Sequence, residues 1–489
     1  MKNKQRNSKN NKRIVVGRIN VSNVLYFCTQ VRIKRFLTLV VLKVSAVSNY
    51  KILIYSQFFT NRLNYVLKHI FGTLLELEFE TTSEKDFFQN ANGIKINYSR
   101  EKIVDSLQIV PVDLLFEERI LQQNIVMQKW EELPCFFSTN GDIPFDLFAA
   151  TFFLISRYEE YVSEEYDKHN RYDFSQSIAY KYGFLQLPLV DLWAKKLREK
   201  IAKIQDFGEV KRDFLFVSTV DVDHFYKYKG RGFLKNCALF LRDLFYDFSQ
   251  FKQRFFVFFG FKQDPWFNFE RVEKFHQKHQ QNFTYFFHVG GKGLFDKRCK
   301  NPYDKSYQKA VAEQAERNEV GLHTSYQSAF DEDEILFEKN ILQQWIGKEI
   351  TSHRFHFLRF SLPKSYQILQ NVGIFEDYSM AYAQQIGFRA STCVPFYFYD
   401  LSIEQETLLK IVPTVLMDTT LATHLHLSSE EAFPLVTELV DNVRSVKGVC
   451  VFILHNELFS GEKDKCCWEG FYDTIFEYIS NLQRNNSVK

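Results

Sequence analysis

Phe214-Leu-Phe-Val-Ser-Thr-Val-Asp221-Val-Asp223-His224 is an apolar run that ends in two carboxylates one residue apart. Its aromatic and β-branched content predicts a buried strand. Side chains alternate along a strand, so Asp221 and Asp223 share a face near its C-terminal end. Two carboxylates this close repel and desolvate each other, and at least one needs a cation or a proton. Taken alone, the stretch reads equally well as a strand closed by an acidic turn. The residues downstream of it decide between the two.

From Phe214 onward, short apolar runs alternate with amphipathic ones. The patterns predict strands at 214–220, 283–288, 319–323, 350–357, 373–375, 387–392 and 449–454, and helices at 233–246, 268–280, 306–318, 331–347 and 363–371. Such alternation predicts an α/β fold, either a parallel sheet or a barrel with helices outside. In folds of that kind, function gathers at the C-terminal ends of strands. Polar clusters fall there: Gly321-Leu-His323-Thr324-Ser325, then Ser352-His353-Arg354-Phe355-His356 with Arg359 beyond it, then Leu454-His455-Asn456-Glu457. Alternation puts Arg354 and His356 on one face and His353 on the other, beside Phe355 and Phe357.

An aspartate with two histidines is a common way to hold a divalent metal while leaving positions open for water and substrate. A nearby carboxylate can act as a base, and a further histidine can protonate a leaving group. A lone histidine at a strand end is more often a hydrogen-bonded structural residue; four polar strand ends in order point to a hydrolytic site. His276 and His279, on a polar helix pattern, read as solvated.

Upstream, Lys51-Ile-Leu-Ile-Tyr55 reads as a strand, and helical patterns follow at 61–75, 143–161 and 189–204. Residues 51–205 are therefore expected to form a smaller α/β domain without a chemical motif. Gln205-Asp-Phe-Gly208 is the expected linker to a second domain over 212–480.

The chain has 489 residues, with 52 Phe against only 19 Gly and 10 Pro, a composition that excludes a disordered protein. Residues 1–50 carry eleven Lys or Arg and no acid, leaving 51 basic against 59 acidic side chains in the remainder, a net of −8. This basic tail is expected to lie outside the fold, with weak membrane-surface contact as its alternative role. Its best apolar stretch, Phe36-Leu-Thr-Leu-Val-Val-Leu42, is too short to span a bilayer. The eight cysteines form no CxxC pair and are expected to be reduced, which favours a cytoplasmic location. No nucleic-acid partner is expected.

Taken in order, these motifs carry a likeness. Residues 214–460 resemble the polysaccharide deacetylases of carbohydrate esterase family 4, the NodB homology domain. Thr219-Val-Asp221-Val-Asp223 resembles that family's first motif stretched by one residue, and Gly-Leu-His323-Thr-Ser the start of its second. The segment from Arg354 to Pro363 resembles the third, Pro395-Phe-Tyr-Phe-Tyr-Asp400 stands where the aromatic fourth lies, and Leu454-His455 resembles the fifth. The N-terminal part, through Ser156-Arg-Tyr-Glu-Glu160, Tyr182-Gly-Phe184 and Pro188-Leu-Val-Asp191, resembles an uncharacterised domain that precedes such deacetylases in some Bacteroidetes.

The resemblance implies a distorted (β/α) barrel and a metal-dependent hydrolase that removes acetyl groups from an N- or O-acetylated sugar or polysaccharide precursor. It implies Asp221 as the catalytic base, Arg354 as the group that steadies it and His455 as the catalytic acid. Asp223, His323 and His356 would hold zinc or a similar ion. Arg359, Tyr397 and Tyr399 would meet the substrate.

One departure stands out. The family's second motif ends in a metal-binding histidine, and the corresponding position here is Gln327, a poor zinc ligand. Either His356 replaces it from the next strand, the preferred reading, or the site binds metal weakly, or catalysis has been lost. His353 is the rival ligand. Two other functions remain open: a degenerate carbohydrate-binding or scaffold protein on the same fold, and an amidohydrolase of a small non-sugar amide.

Overall fold

The apolar run after Lys51 seeds the first of two main sheets. In the computed structural model, Ile52–Tyr55 (β1) lies between Phe79–Thr82 (β2) and Ile94–Asn97 (β3), with Leu107–Gln108 (β4) beyond β3, all parallel. A two-stranded hairpin, Gln128–Trp130 (β5) and Leu133–Cys135 (β6), follows. The structure describes residues 51–229, 233–290, 293, 295–296 and 304–487, so the basic segment 1–50 lies outside the described residues.

Nine strands form the second sheet: Leu215–Val222 (β7), Phe283–His288 (β8), Glu319–Thr324 (β9), Ser352–Phe355 (β10), Glu376–Asp377 (β11), Phe396–Asp400 (β12), Gln405–Ile411 (β13), Leu416–Met417 (β14) and Val449–His455 (β15). Their order is β12-β13-β11-β10-β9-β8-β7-β15-β14, and every pairing is parallel except β12 with β13. The fold is thus mixed α/β with parallel sheets. The end strands β12 and β14 form no ladder with each other among the described residues, so the expected barrel is an open sheet in its hydrogen bonding.

The expected strand at 387–392 does not form. Gly387 takes a φ of +124°, and a Cβ there would come within 2.3 Å of the Leu185 carbonyl oxygen. Phe388 N–H donates to that carbonyl, and Val190 N–H donates to Ser391 C=O, so the segment is laced to the N-terminal part instead of to a strand. His276 and His279 are buried, not solvated: His276 stacks on Phe283 and bonds Ser218 Oγ at 2.8 Å, and His279 meets Asp473 at 2.8 Å.

Residues 50–489 form one compact unit, and a single apolar core runs through both sheets. Burial of that core is the main favourable term in folding. A buried ionic network joins the two parts. Glu160, at the end of the aromatic run 152–161, accepts from Arg157 Nε at 2.8 Å and from Arg389 Nε and Nη2 at 2.9 and 2.6 Å. Arg212, just past the expected linker, donates to the Leu74 carbonyl at 2.5 Å on one side and the Val446 carbonyl at 3.1 Å on the other.

Burial disfavours the Glu160 carboxylate, but the two guanidinium groups outweigh it and hold its pKa below the ordinary 4.5. A depressed acid contributes stability that is fully present above its unfolded value and lost as the pH falls. Glu160→Ala leaves the buried Arg389 without a carboxylate and Arg157 with Glu159 alone, and it is expected to cost about 3–5 kcal/mol in urea unfolding at pH 7. The same variant should lose less stability than the wild type when the pH is lowered from about 5 to 3.

Candidate functional site

Parallel register brings the polar strand ends together. His455 pairs with Asp221 across β15 and β7, and His288, His323 and Arg354 follow one another across β8, β9 and β10. These positions lie at the C-terminal ends of their strands, where a parallel sheet leaves room for a ligand.

Asp221 is fixed from beneath. Arg354 Nη1 donates to its Oδ1 at 2.6 Å and to Thr219 Oγ1 at 2.7 Å, while Arg354 Nε donates to the Tyr378 carbonyl. The guanidinium is fully buried and lies 4.4 Å from the Phe286 ring centroid. That ring in turn fills the space where a side chain on Gly321 would go, since a Cβ there would sit 2.4 Å from it. Glycine at 321 therefore lets Phe286 lie under Arg354.

Asp223, His323 and His356 offer three donor atoms that all lie within 4.8 Å of one another. His323 Nε2 is 3.0 Å from Asp223 Oδ1, and His356 Nε2 is 3.4 Å from Asp223 Oδ2. Each ring's other nitrogen is taken: His323 Nδ1 bonds the Arg354 carbonyl at 2.9 Å, and His356 Nδ1 meets Asp296 Oδ1 at 3.1 Å. A carbonyl and a carboxylate both require an N–H at Nδ1, which leaves Nε2 of each ring as the atom that an ion beside Asp223 would engage once its proton is lost. Two imidazoles and one carboxylate, each oriented from behind, suit zinc or a similar divalent ion. Gln327 lies exposed beside Gly293 and takes no part in this group. His353 points away, bonded to Asp377 at 2.9 Å and Thr324 at 3.0 Å.

The electrostatics follow from this arrangement. Burial opposes ionisation of Asp223, yet His356, His323 and His455 outweigh it and hold the carboxyl well below its usual range. Burial likewise opposes a charged His356, but Asp223 and Asp296 raise it to about 9. His455 is pushed up to about 10: burial acts against the charge, and Asp418 overcomes it with help from Asp223 and Asp221. Asp418 accepts from His455 Nδ1 at 2.6 Å and from His455 N–H at 2.8 Å. The free edge of that ring, Nε2, faces Asp223 Oδ2 at 3.8 Å.

Sequence patterning misses two neighbours. His288 ends β8 at the same register as His323, and its Nε2 meets Asp296 Oδ1 at 3.1 Å. Asp296 also accepts from Tyr326 N–H, so it ties three elements together behind His356. The strand-end rule applied to His288 would have found it. Asp296 sits in irregular chain with no local signal.

Of the expected substrate residues, Arg359 lies beside the turn that carries His356, and Tyr397 and Tyr399 lie on β12. Arg359 is committed to the carbonyls of His169 at 2.9 Å and Tyr326 at 2.7 Å and is sandwiched between the Tyr326 and Phe330 rings. Tyr399 is buried against Tyr65 and Phe152, with its hydroxyl donating to Glu404. Tyr397 is exposed on β12, at the far end of the sheet from β7 and β15. Both tyrosines belong to the seam between the two sheets. Phe357 lies against His356, and Tyr326, Phe295 and His169 pack in turn on Phe357.

His169 belongs to the N-terminal part, and its loop clasps the turn that carries His356. Arg171 Nη1 donates to the Phe357 carbonyl at 2.6 Å, while Arg359 donates back to the His169 carbonyl. Phe357 and Leu358 both hold positive φ, 61° and 50°, a conformation that side chains disfavour and that the clasp supports.

Comparison with known proteins adds little beyond this. Residues 52–206 match the model of a family of unknown function (DUF7033). No curated protein matches the chain significantly. Among solved structures, the chain is similar to a provisionally assigned polysaccharide deacetylase from Mycobacterium smegmatis, at 13% identity and a TM-score of 0.36, over 57% of this chain and 93% of that one. It is also similar to a CE4-family pseudoenzyme from Bacillus anthracis, at 9% identity and a TM-score of 0.28, over 55% of this chain and 62% of that one. At these scores the likenesses carry no functional weight.

Because a metal must displace the proton that His356 holds below about pH 9, its uptake is expected to release protons and to tighten as the pH rises toward that value. Calorimetry of zinc binding in buffers of different ionisation enthalpy checks both points. Asp296→Asn removes the carboxylate that orients His356, and it is expected to weaken zinc binding by about 10–100-fold while leaving the circular dichroism spectrum intact.

Proposed function

We propose that this chain is a metal-dependent hydrolase that removes an acetyl group from an N- or O-acetylated sugar or polysaccharide precursor. The observation that carries the proposal is the meeting of three groups at one place: the Asp223, His323 and His356 donors, the Arg354-held Asp221, and the Asp418-backed His455. The sugar as substrate class rests on the motif resemblance; the hydrolytic chemistry rests on the geometry.

Asp223, His323 and His356 would hold the ion, which when bound supplies Lewis acidity toward an acyl oxygen and lowers the pKa of water. Asp221 keeps Oδ1 on Arg354 and turns Oδ2 toward His323 Nε2, 3.9 Å away, so Oδ2 is placed to take a proton from an attacking water. His455 carries its proton at neutral pH, and Nε2 is the atom that can deliver it to the departing nitrogen or oxygen. Asp418 keeps that ring charged and oriented. Base and acid thus stand on either side of Asp223, the one oriented by a guanidinium and the other held protonated by a carboxylate. Unlike environments of this kind divide acid and base roles between neighbouring groups.

A second reading, a sugar-binding protein without turnover, is favoured by one observation: Gln327 stands where the resembled family has its second histidine ligand. The two readings separate in one experiment. The zinc-loaded chain is expected to release acetate from acetylated amino-sugar oligomers, Asp221→Asn to lower kcat by about 10²–10⁴-fold with zinc retained, and His323→Ala to lose both zinc and turnover. Sugar binding by calorimetry with no acetate released from any oligomer would replace the hydrolase by the binding protein.

A further inference from the structure

Between the end of β7 and the helix Phe269–Lys278, the chain inserts two helices, Phe233–Tyr246 and Phe248–Phe258, whose polarity is inverted. The buried side carries ions. Arg254 and Asp243 are both buried and meet at 2.7 Å, and the guanidinium lies 4.9 Å from the Tyr228 ring centroid. The Tyr228 hydroxyl bonds Gln250 at 2.5 Å and Gln253 at 3.0 Å. The outer side is apolar. Leu234, Leu241, Phe245, Tyr246, Phe259 and Phe261 are between 57% and 86% exposed. Of the 29 exposed large apolar residues among the described ones, eleven fall within 234–261, which makes this a patch and not scatter.

The charge around the patch is one-sided. Residues 233–262 contain ten phenylalanines, five cations and two acids. One of the acids, Asp243, is buried on Arg254 and also accepts from Arg242 at 2.7 Å, so Lys235, Lys252 and Lys262 stand exposed against Asp247 alone. This stands out on a chain whose residues after position 50 sum to −8. Pairing of two copies through the patch would bring like charges together. A surface that offers an apolar phase under a layer of anions matches it on both counts. Neither helix is long and apolar enough to cross a bilayer, which leaves contact in the plane of the interface.

We propose that this helical hairpin docks the protein on an anionic lipid surface, its phenylalanines in the acyl boundary and its lysines at the headgroups. The placement has a consequence for the site. Asp264, at the exit of the insertion, accepts from the N–H groups of Lys227, Tyr228 and Lys229 at its entrance, at 2.7 to 3.1 Å. Trp266, two residues on, lies against His224, next to Asp223. The hairpin therefore rises from the same strand ends that carry the candidate site, and docking presents those ends to the membrane. The inference does not depend on the hydrolase reading.

Co-sedimentation of the full chain with phosphatidylcholine vesicles, with or without about 30% phosphatidylglycerol, is the test. Binding at least tenfold stronger to the anionic vesicles, and weakened by salt, is expected. A combined Phe245→Ser, Phe256→Ser, Phe259→Ser variant and a Lys252→Glu, Lys262→Glu variant should each lose about tenfold or more, with unchanged circular dichroism and thermal midpoint. The basic segment 1–50 could bind anionic lipid by itself, and undiminished binding by the triple variant would assign the effect there and overturn the proposal. Absence of vesicle binding, or a concentration-dependent dimer that the triple variant abolishes without vesicle binding, would overturn it as well.

Discussion

Arg354 has no solvent exposure, and its guanidinium meets Asp221 and Thr219 through Nη1, the Tyr378 carbonyl through Nε and the Phe286 ring with one face. Its backbone carbonyl also fixes the ring of His323. One residue thus sets the direction of a carboxylate through its side chain and of an imidazole through its main chain. A buried cation with one partner removed is costly, so the pairing with Asp221 is held by the energetics of the whole sheet centre. The candidate ligand group, the acid–base pair and the packing of β7 through β10 all depend on that placement.

The chemistry around it is a matching of opposite charges in a largely buried space. Asp223 stands among three imidazoles, His356 between two carboxylates, and His455 against Asp418. Low effective dielectric makes each interaction strong and each unpaired group expensive. Such clustering of shifted groups at strand ends is characteristic of functional sites, though buried structural networks such as that of Glu160 share it.

Much of this could be read from the sequence because a strand has a period of two and a fixed end. Asp221 and Arg354 lie in β7 and β10, Asp223 and His356 just past the ends of those strands, and parallel register aligns the ends. What could not be read depends on contacts that no period encodes. Asp296 lies in irregular chain, where nothing in the local sequence marks it. Tyr399 carries the same aromatic signature as a sugar platform, yet it is consumed by packing between sheets, and Arg359 by two carbonyls. The expected strand at 387–392 failed because Gly387 closes against Leu185, a neighbour about 200 residues away in the chain. Closure of the nine strands into a ring is likewise a property of two distant edges, and alternation alone cannot announce it.

The reciprocal hold of Arg171 on Phe357 and Arg359 on His169 reaches beyond packing. It makes the part of the chain between residues 51 and 205 belong to the frame in which His356 stands, so the chain does not divide near Gly208 into two independent halves. A gene that lost its upstream portion would keep every residue of the ligand group and lose the brace of the turn that delivers one of them.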